Sequence, residues 1–298
     1  MKKMRIPLLI VLGIAILGII LGSFLDLQIS QAIASPTNGL ALTISAVCPT
    51  IGFGGLALIA GAWAGLGLKK DYPVWARVLF WIAGAACLGA SIKYAGGEYF
   101  GVNGFAGSAP EIVGYLIAGV VLCGAAVGGY FLFKDTTNDK AWIVLLIAMA
   151  VMGLALLPGV SGLKAIFHRP RFRAISAHPE IPFFNWYQPN GDYQAQMTAA
   201  GLDSEEFKSF PSGHTCETSI LLVTVVFMPL INPKLAKRQT LFFCLAAGAI
   251  VLVGFGRILA AAHFLSDVSM GAFLMVLLAF IANEVVIRLP ILHPAEEE

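Results

Sequence analysis

The sequence predicts an all-α fold, a polytopic membrane helix bundle of about eight transmembrane helices. Three observations predict it. The 298-residue chain is 58% hydrophobic and only 12% charged, whereas soluble domains average roughly 25% charged residues. So little charge does not cover the surface of a domain this size in water. The apolar residues are gathered into runs close to the about 20 residues that cross a bilayer core. The cations between those runs are divided unequally between alternate connections.

The runs lie near residues 6–25, 44–67, 74–93, 111–133, 141–162, 215–231, 239–257 and 264–287. The first follows Met-Lys-Lys-Met-Arg, and Ala32-Ile33-Ala34 resembles a signal cleavage site. The run is longer than the roughly 7–15 residues of a signal h-region, so it reads as an uncleaved span. The second and fourth runs carry Gly61-xxx-Gly65 and Gly124-xxx-Gly128, a spacing that lets helices approach closely. Cys48, Cys87, Cys123, Cys216 and Cys244 lie in or beside apolar runs, with no Cys-x-x-Cys or Cys/His cluster. That pattern argues against a zinc site or disulfide framework and for small packing residues.

Eight spans put the connections alternately on two sides. One side collects Lys2, Lys3, Arg5, Lys69, Lys70, Arg77, Lys134, Lys140, Lys234, Lys237, Arg238 and Arg288; the other holds Lys93, Lys164, Arg169, Arg171, Arg173, Lys208 and Arg257. The richer side is expected to be cytoplasmic and to hold both termini. Five of the seven outer cations fall in one long connection, 163–214, which also carries Phe183, Phe184, Trp186 and Tyr187. These aromatics read first as an interfacial belt and second as the lining of a headgroup entrance.

Three polar clusters break the apolar pattern, and all fall on the outer side. Ionisable residues at membrane depth are functional candidates by default. The first is Lys164-Ala-Ile-Phe-His-Arg-Pro-Arg171; a continuing helix would put Lys164 and Arg171 on one face two turns apart. The second is Ser209-Phe-Pro-Ser212-Gly213-His214, where Ser212 suits a helix cap and the exposed N–H groups suit an anion. The third runs from Arg257 to His263 and Asp267. On a helix the last two would stack one turn apart, the carboxylate setting the ring tautomer. Three cations, two histidines and a carboxylate suit a phosphoryl group, whose charge spreads over several oxygens. No acidic cluster for Mg²⁺ accompanies them.

These motifs resemble those of the type 2 phosphatidic-acid phosphatase superfamily, whose pattern is Lys-x6-Arg-Pro, Pro-Ser-Gly-His and Ser-Arg-x5-His-x3-Asp. Phe172 stands where the first motif has proline, and Gly256 where the third has serine. The match covers about residues 141–288. The usual family core has six spans and eight are counted here, so the resemblance does not fully account for the first four; the chain reads as an N-terminal membrane region of about four spans, 1–140, and a phosphatase core of the six-helix type, 141–298, with the outer loop 163–214.

The resemblance also implies roles. His263 attacks phosphorus and forms a phosphohistidine; Asp267 orients it; His214 protonates the leaving oxygen and later activates water. Lys164, Arg171, Ser212, Gly213 and Arg257 hold phosphate oxygens, with no metal or other cofactor. Arg169 competes with Arg171 but has the wrong spacing from Lys164. Glu217, one turn after His214, faces a polar pocket or the interface, or tunes the His214 pKa; His168 and Arg173 are peripheral, and His178 and His293 get no role. The expected activity is hydrolysis of a lipid phosphomonoester or pyrophosphate at the outer face, on undecaprenyl diphosphate or a glycerophospholipid phosphate. Partners are the lipid phosphate and membrane lipids, not nucleic acid. The alternatives are a lipid phosphotransferase on the same scaffold and a transporter with a His/Asp proton relay.

Overall fold

The computed structural model describes residues 2–37, 39–101, 109–134, 136 and 138–289, and among these the side chains of 40–46, 48, 97–101 and 109–111 are not described. The Cys48 side chain and His293 therefore lie outside the described residues. The eight expected spans are all present as long apolar helices. They are α1 (Arg5–Ile33), α2 (Gly39–Leu68), α3 (Val74–Gly101), α4 (Ala109–Phe133), α5 (Ala141–Leu154) continued into α6 (Gly162–Phe167), α9 (Gly213–Thr218) continued into α10 (Ile220–Ile231), α11 (Gln239–Leu259) and α12 (Leu265–Ile287). Two short helices, α7 (Phe172–Ala177) and α8 (Gly191–Ala199), lie in the long connection. The chain is a multi-pass membrane protein.

The helices sort by how much of their surface they bury. The second and sixth spans are the most enclosed; α2 packs on α3 and α4 and also on α9, α10 and α11. The outer faces of α1, α3 and α4 expose Ile14, Trp75 and Val120, as expected of side chains that meet lipid rather than water. α1 packs mainly on α12. At one end of that pair Arg5 donates from Nε and Nη2 to the two carboxylate oxygens of Glu284, at 2.6 and 2.7 Å. α1 also runs to Ile33, past the apolar stretch that ends near Leu25. Its last turns are helical without being apolar because Asp26 and Ser30 turn inward and are buried.

The α2–α4 contact depends on backbone approaching backbone. A Cβ on Gly61 would lie 1.7 Å from the carbonyl oxygen of Ala126, and one on Gly129 2.0 Å from that of Leu58. Gly124 meets nothing within 4 Å. The close-packing residue of α4 is thus Gly129, one position past the Gly124-xxx-Gly128 pair.

Two departures from regular helix shape the site end. Between α5 and α6 the chain makes a π-helical turn over Ala155–Ser161 around Pro158, which has no N–H to give the helical ladder. α6 then stops at Phe167, and His168 takes a left-handed conformation with φ 45°. Lys164 and Arg171 therefore do not share a continuous helix face; a turn brings Arg171 round instead. The connection after it is folded, with Ala174, Ile181 and Phe207 forming a small core of their own.

Gly61→Ala is expected to lower the melting temperature of the detergent-solubilised protein, since overpacking costs about 1–3 kcal/mol. Gly124→Ala should leave it unchanged or raise it, because helix propensity gains up to about 1 kcal/mol. Thermal unfolding of the two variants side by side checks this.

Candidate active site

All three polar clusters meet at one end of the bundle. Lys164 comes from α6, His214 and Ser212 from the start of α9, Arg257 from the end of α11, and Asp267 from the first turn of α12. Arg171 and Ser209 come from the long connection, where two strands of chain run side by side. Arg171 donates its N–H to Glu206 O at 2.7 Å, and Ser209 donates its N–H to Arg169 O at 3.0 Å.

His263 is set by a sharp reversal after α11. The Ala262 N–H donates to Arg257 O and the Ala261 N–H to Ile258 O, the bonding of a Schellman motif. Its left-handed position is Ala261, φ 55°, where glycine is usual; a Cβ there costs about 1–2 kcal/mol. The reversal ends α11 at Leu259, with Arg257 in its last turn, and delivers His263 into the bundle end, 1% exposed. α12 begins only at Leu265, so His263 and Asp267 do not stack on one helix.

The hydrogen bonds of His263 fix its tautomer. Nδ1 lies 2.6 Å from the carbonyl oxygen of Ser209. A carbonyl only accepts, so the proton is on Nδ1 and Nε2 carries the lone pair. The Asp267 carboxylate is 3.8 Å from Nδ1, within Coulombic reach but too far for a hydrogen bond. It acts instead through Ser209, whose hydroxyl donates to Asp267 Oδ2 at 2.5 Å, while Phe264 N–H donates to the same oxygen at 2.8 Å. Sequence reasoning gave Ser209 no role; its place two residues before Pro211 was the available signal.

Burial holds the His263 pKa well below its ordinary value of 6.5; Asp267 pulls it back up, and the Arg257 and Arg171 charges each push it down by less. The ring is therefore neutral at physiological pH and lies in a positive field. Around it, Ser212 donates its N–H to Asp267 O at 2.9 Å, and its hydroxyl accepts from Thr215 Oγ1 at 3.1 Å. Arg171 is buried and donates from Nε to Glu205 O at 2.9 Å. Lys164 Nζ and Glu217 Oε1 both approach Gly213, each 3.7 Å from where its Cβ would be. Glu217 thus sits beside Lys164 and Gly213, inside the bundle rather than at an interface.

Arg169 is not among the groups left to face a substrate. Its guanidinium is 1% exposed and its donors are used within the protein. Nη1 donates to Asp267 Oδ1 at 2.6 Å and Ser266 Oγ at 2.9 Å; Nη2 donates to Asp26 Oδ2 and Nε to Phe184 O, both at 2.9 Å. Its flat faces lie against Phe264 and Phe183. Trp186 stacks on Phe210 and donates to Ser23 Oγ at 2.8 Å. Phe183, Phe184 and Trp186 therefore brace the site from within; of the four aromatics, Tyr187 is the one left exposed.

Ser209→Ala removes a hydrogen bond to a buried carboxylate, which contributes about 1.5–3 kcal/mol; a lower melting temperature is expected. The His263 shift has a sign that can be read separately. Its folded pKa is below its unfolded value, so the unfolded chain binds more protons in acid. Stability is expected to be full above about pH 6.5 and to fall as pH drops below it, the His263 part of that fall being absent from His263→Gln. Melting temperatures across pH for both proteins check this.

Residues 140–289 match the model of the PAP2 superfamily, half of the chain. No curated protein and no solved structure matches. The matched region contains every group that the site brings round His263 except those of α1, and the chain belongs to the PAP2 superfamily.

Proposed function

We propose that this protein is a lipid phosphatase that hydrolyses a phosphomonoester or pyrophosphate through a phosphohistidine on His263. Superfamily membership supports phosphatase activity on phosphate esters, often of lipids. The observation that carries the finer reading is the Nδ1–H to Ser209 carbonyl bond. It leaves Nε2 as an unprotonated nucleophile in the field of Arg171 and Arg257, which disfavours a protonated ring and favours a bound anion.

In the first step Nε2 attacks phosphorus in line, the P–O bond to the leaving group breaks, and His214 gives that oxygen its proton. In the second, His214 takes a proton from water, the water oxygen attacks phosphorus, and the P–N bond breaks to release orthophosphate and restore the lone pair. Lys164, Arg171, Arg257, the Ser212 hydroxyl and the Gly213 N–H hold the non-bridging oxygens, stabilising the charge that a metal ion would otherwise offset. Asp267 stabilises the positive charge that grows on the ring.

The helix pattern supports a lipid substrate, since the site sits at the end of a bundle whose outer faces are apolar. Undecaprenyl diphosphate, phosphatidic acid and phosphatidylglycerol phosphate are the candidates. The cation count supports placing the site on the non-cytoplasmic face with both termini cytoplasmic. The division into a four-span region, 1–140, and a core, 141–298, belongs to the same proposal.

Phosphate release from a panel of lipid phosphates in detergent micelles tests this. The unmodified protein is expected to turn over at least one of them, with EDTA without effect. His263→Ala is expected to lower kcat by about 10⁴-fold or more, the scale of losing a covalent nucleophile. Undiminished release by that variant would refute the mechanism.

A further inference from the structure

One charged group at the site comes from outside the region that matches the superfamily. Asp26 lies on α1, is 1% exposed, and is 143 residues away in sequence from its partner Arg169. Its Oδ1 accepts the Ser266 N–H at 2.9 Å, in the first turn of α12, and its Oδ2 accepts from the Ser266 hydroxyl and from Arg169. α1 is shaped to bring it there. Gly18, Gly22 and Asp26 form a stripe at four-residue spacing, and α12 lies directly on that stripe. A Cβ on Gly22 would be 2.7 Å from Ser266 N, and one on Gly18 2.2 Å from Ser269 Oγ. Two further bonds tie the same end of α1 to the site: Trp186 to Ser23, and the Ser35 N–H to Leu259 O at 2.8 Å.

We propose that Asp26 is a positioning residue of the catalytic centre, so that the first membrane span completes a site whose reacting groups lie in the last four. The inference rests on His263 being the nucleophile. When Nε2 bonds to phosphorus while Nδ1 keeps its proton, the ring becomes cationic. The Asp267 carboxylate, 3.8 Å away, stabilises that cation. Arg169 opposes it, because its guanidinium is bonded to the same carboxylate at 2.6 Å. Asp26 takes up the other edge of that guanidinium, so Arg169 is shared between two carboxylates and Asp267 keeps a net negative field towards His263. The groups facing this centre are Arg169, Asp26 and Ser266 on one side and Arg171, Arg257 and Ser209 on the other. Asp26 itself touches no phosphate ligand, so its removal should act on the chemical step and not on substrate binding.

Asp26→Asn is the discriminating variant in the full-length protein. Asparagine keeps the size, and its carbonyl still accepts the Ser266 N–H, while the charge is lost. With the lipid phosphate that the unmodified protein turns over best, kcat is expected to fall about 10–100-fold, the usual size for an outer-shell partner, with KM within about twofold. Asp26→Glu restores the charge and should recover part of kcat. A kcat within twofold of the unmodified protein, or a loss confined to KM or melting temperature, would overturn the proposal and leave the phosphatase reading standing. If Asp26→Asn does not accumulate as folded protein, Asp26→Glu is read alone: a lower kcat at constant KM supports the proposal and an unchanged kcat overturns it. An unmodified protein that releases no phosphate from any lipid sinks both readings together.

Discussion

The site depends on one cation buried among carboxylates. Arg169 has no access to solvent, and an isolated charge there would be prohibitive. Its guanidinium is stabilised by Asp26, Asp267, the Ser266 hydroxyl and the Phe184 carbonyl, with Phe264 and Phe183 over its faces. Those partners come from α1, α12 and the long connection. Satisfying one side chain therefore fixes three pieces of the protein against each other. Truncating a partner of a buried pair typically costs about 3–5 kcal/mol, far more than any surface ion pair in this chain. The register of α1 on α12, closed at the far end by Arg5 and Glu284, follows from the same requirement.

From Arg169 the constraint passes to the reacting groups. Asp267 is held by Arg169, by Ser209 and by the Phe264 N–H; Ser209 holds the Nδ1 proton of His263. Each member has its orientation set by the next, so the Nε2 lone pair is the part of His263 left for a substrate. Preorganisation of this kind lowers the reorganisation that chemistry would otherwise need. The left-handed Ala261 is the local strain that ends α11 and turns the chain towards this arrangement. The surrounding contacts, including the Arg173 N–H on Ala261 O at 2.9 Å, hold it.

Much of this was legible in the sequence and some was not, for identifiable reasons. Hydrophobicity locates all eight spans because lipid contact requires it, but it stops at Leu25 where α1 continues to Ile33. Asp26 is invisible to a hydrophobicity scale, since its polarity is satisfied inside the protein. Motif spacing brings Lys164, Arg171, His214, Arg257, His263 and Asp267 to one end of the bundle. Spacing alone fails for the helix geometry of the first and third clusters, because turns at His168 and Ala261 interrupt both helices. On sequence alone Arg169 stays a competitor of Arg171, disfavoured only by its spacing, since nothing in the linear sequence reveals partners 97 to 143 residues away. The aromatics of the long connection read as a belt by composition, yet Phe183 packs on Arg169, Trp186 bonds Ser23 and Phe184 packs on Tyr193.

The central claim is that His263 becomes covalently phosphorylated during turnover. A reaction quenched in alkali during steady turnover, followed by peptide mapping by mass spectrometry, tests it most directly, because a phosphohistidine survives base and is lost in acid. The account predicts base-stable phosphate on the peptide carrying His263, discharged when substrate is exhausted. Phosphate on another residue, or continued turnover with no phosphorylated peptide at any quench time, would contradict it.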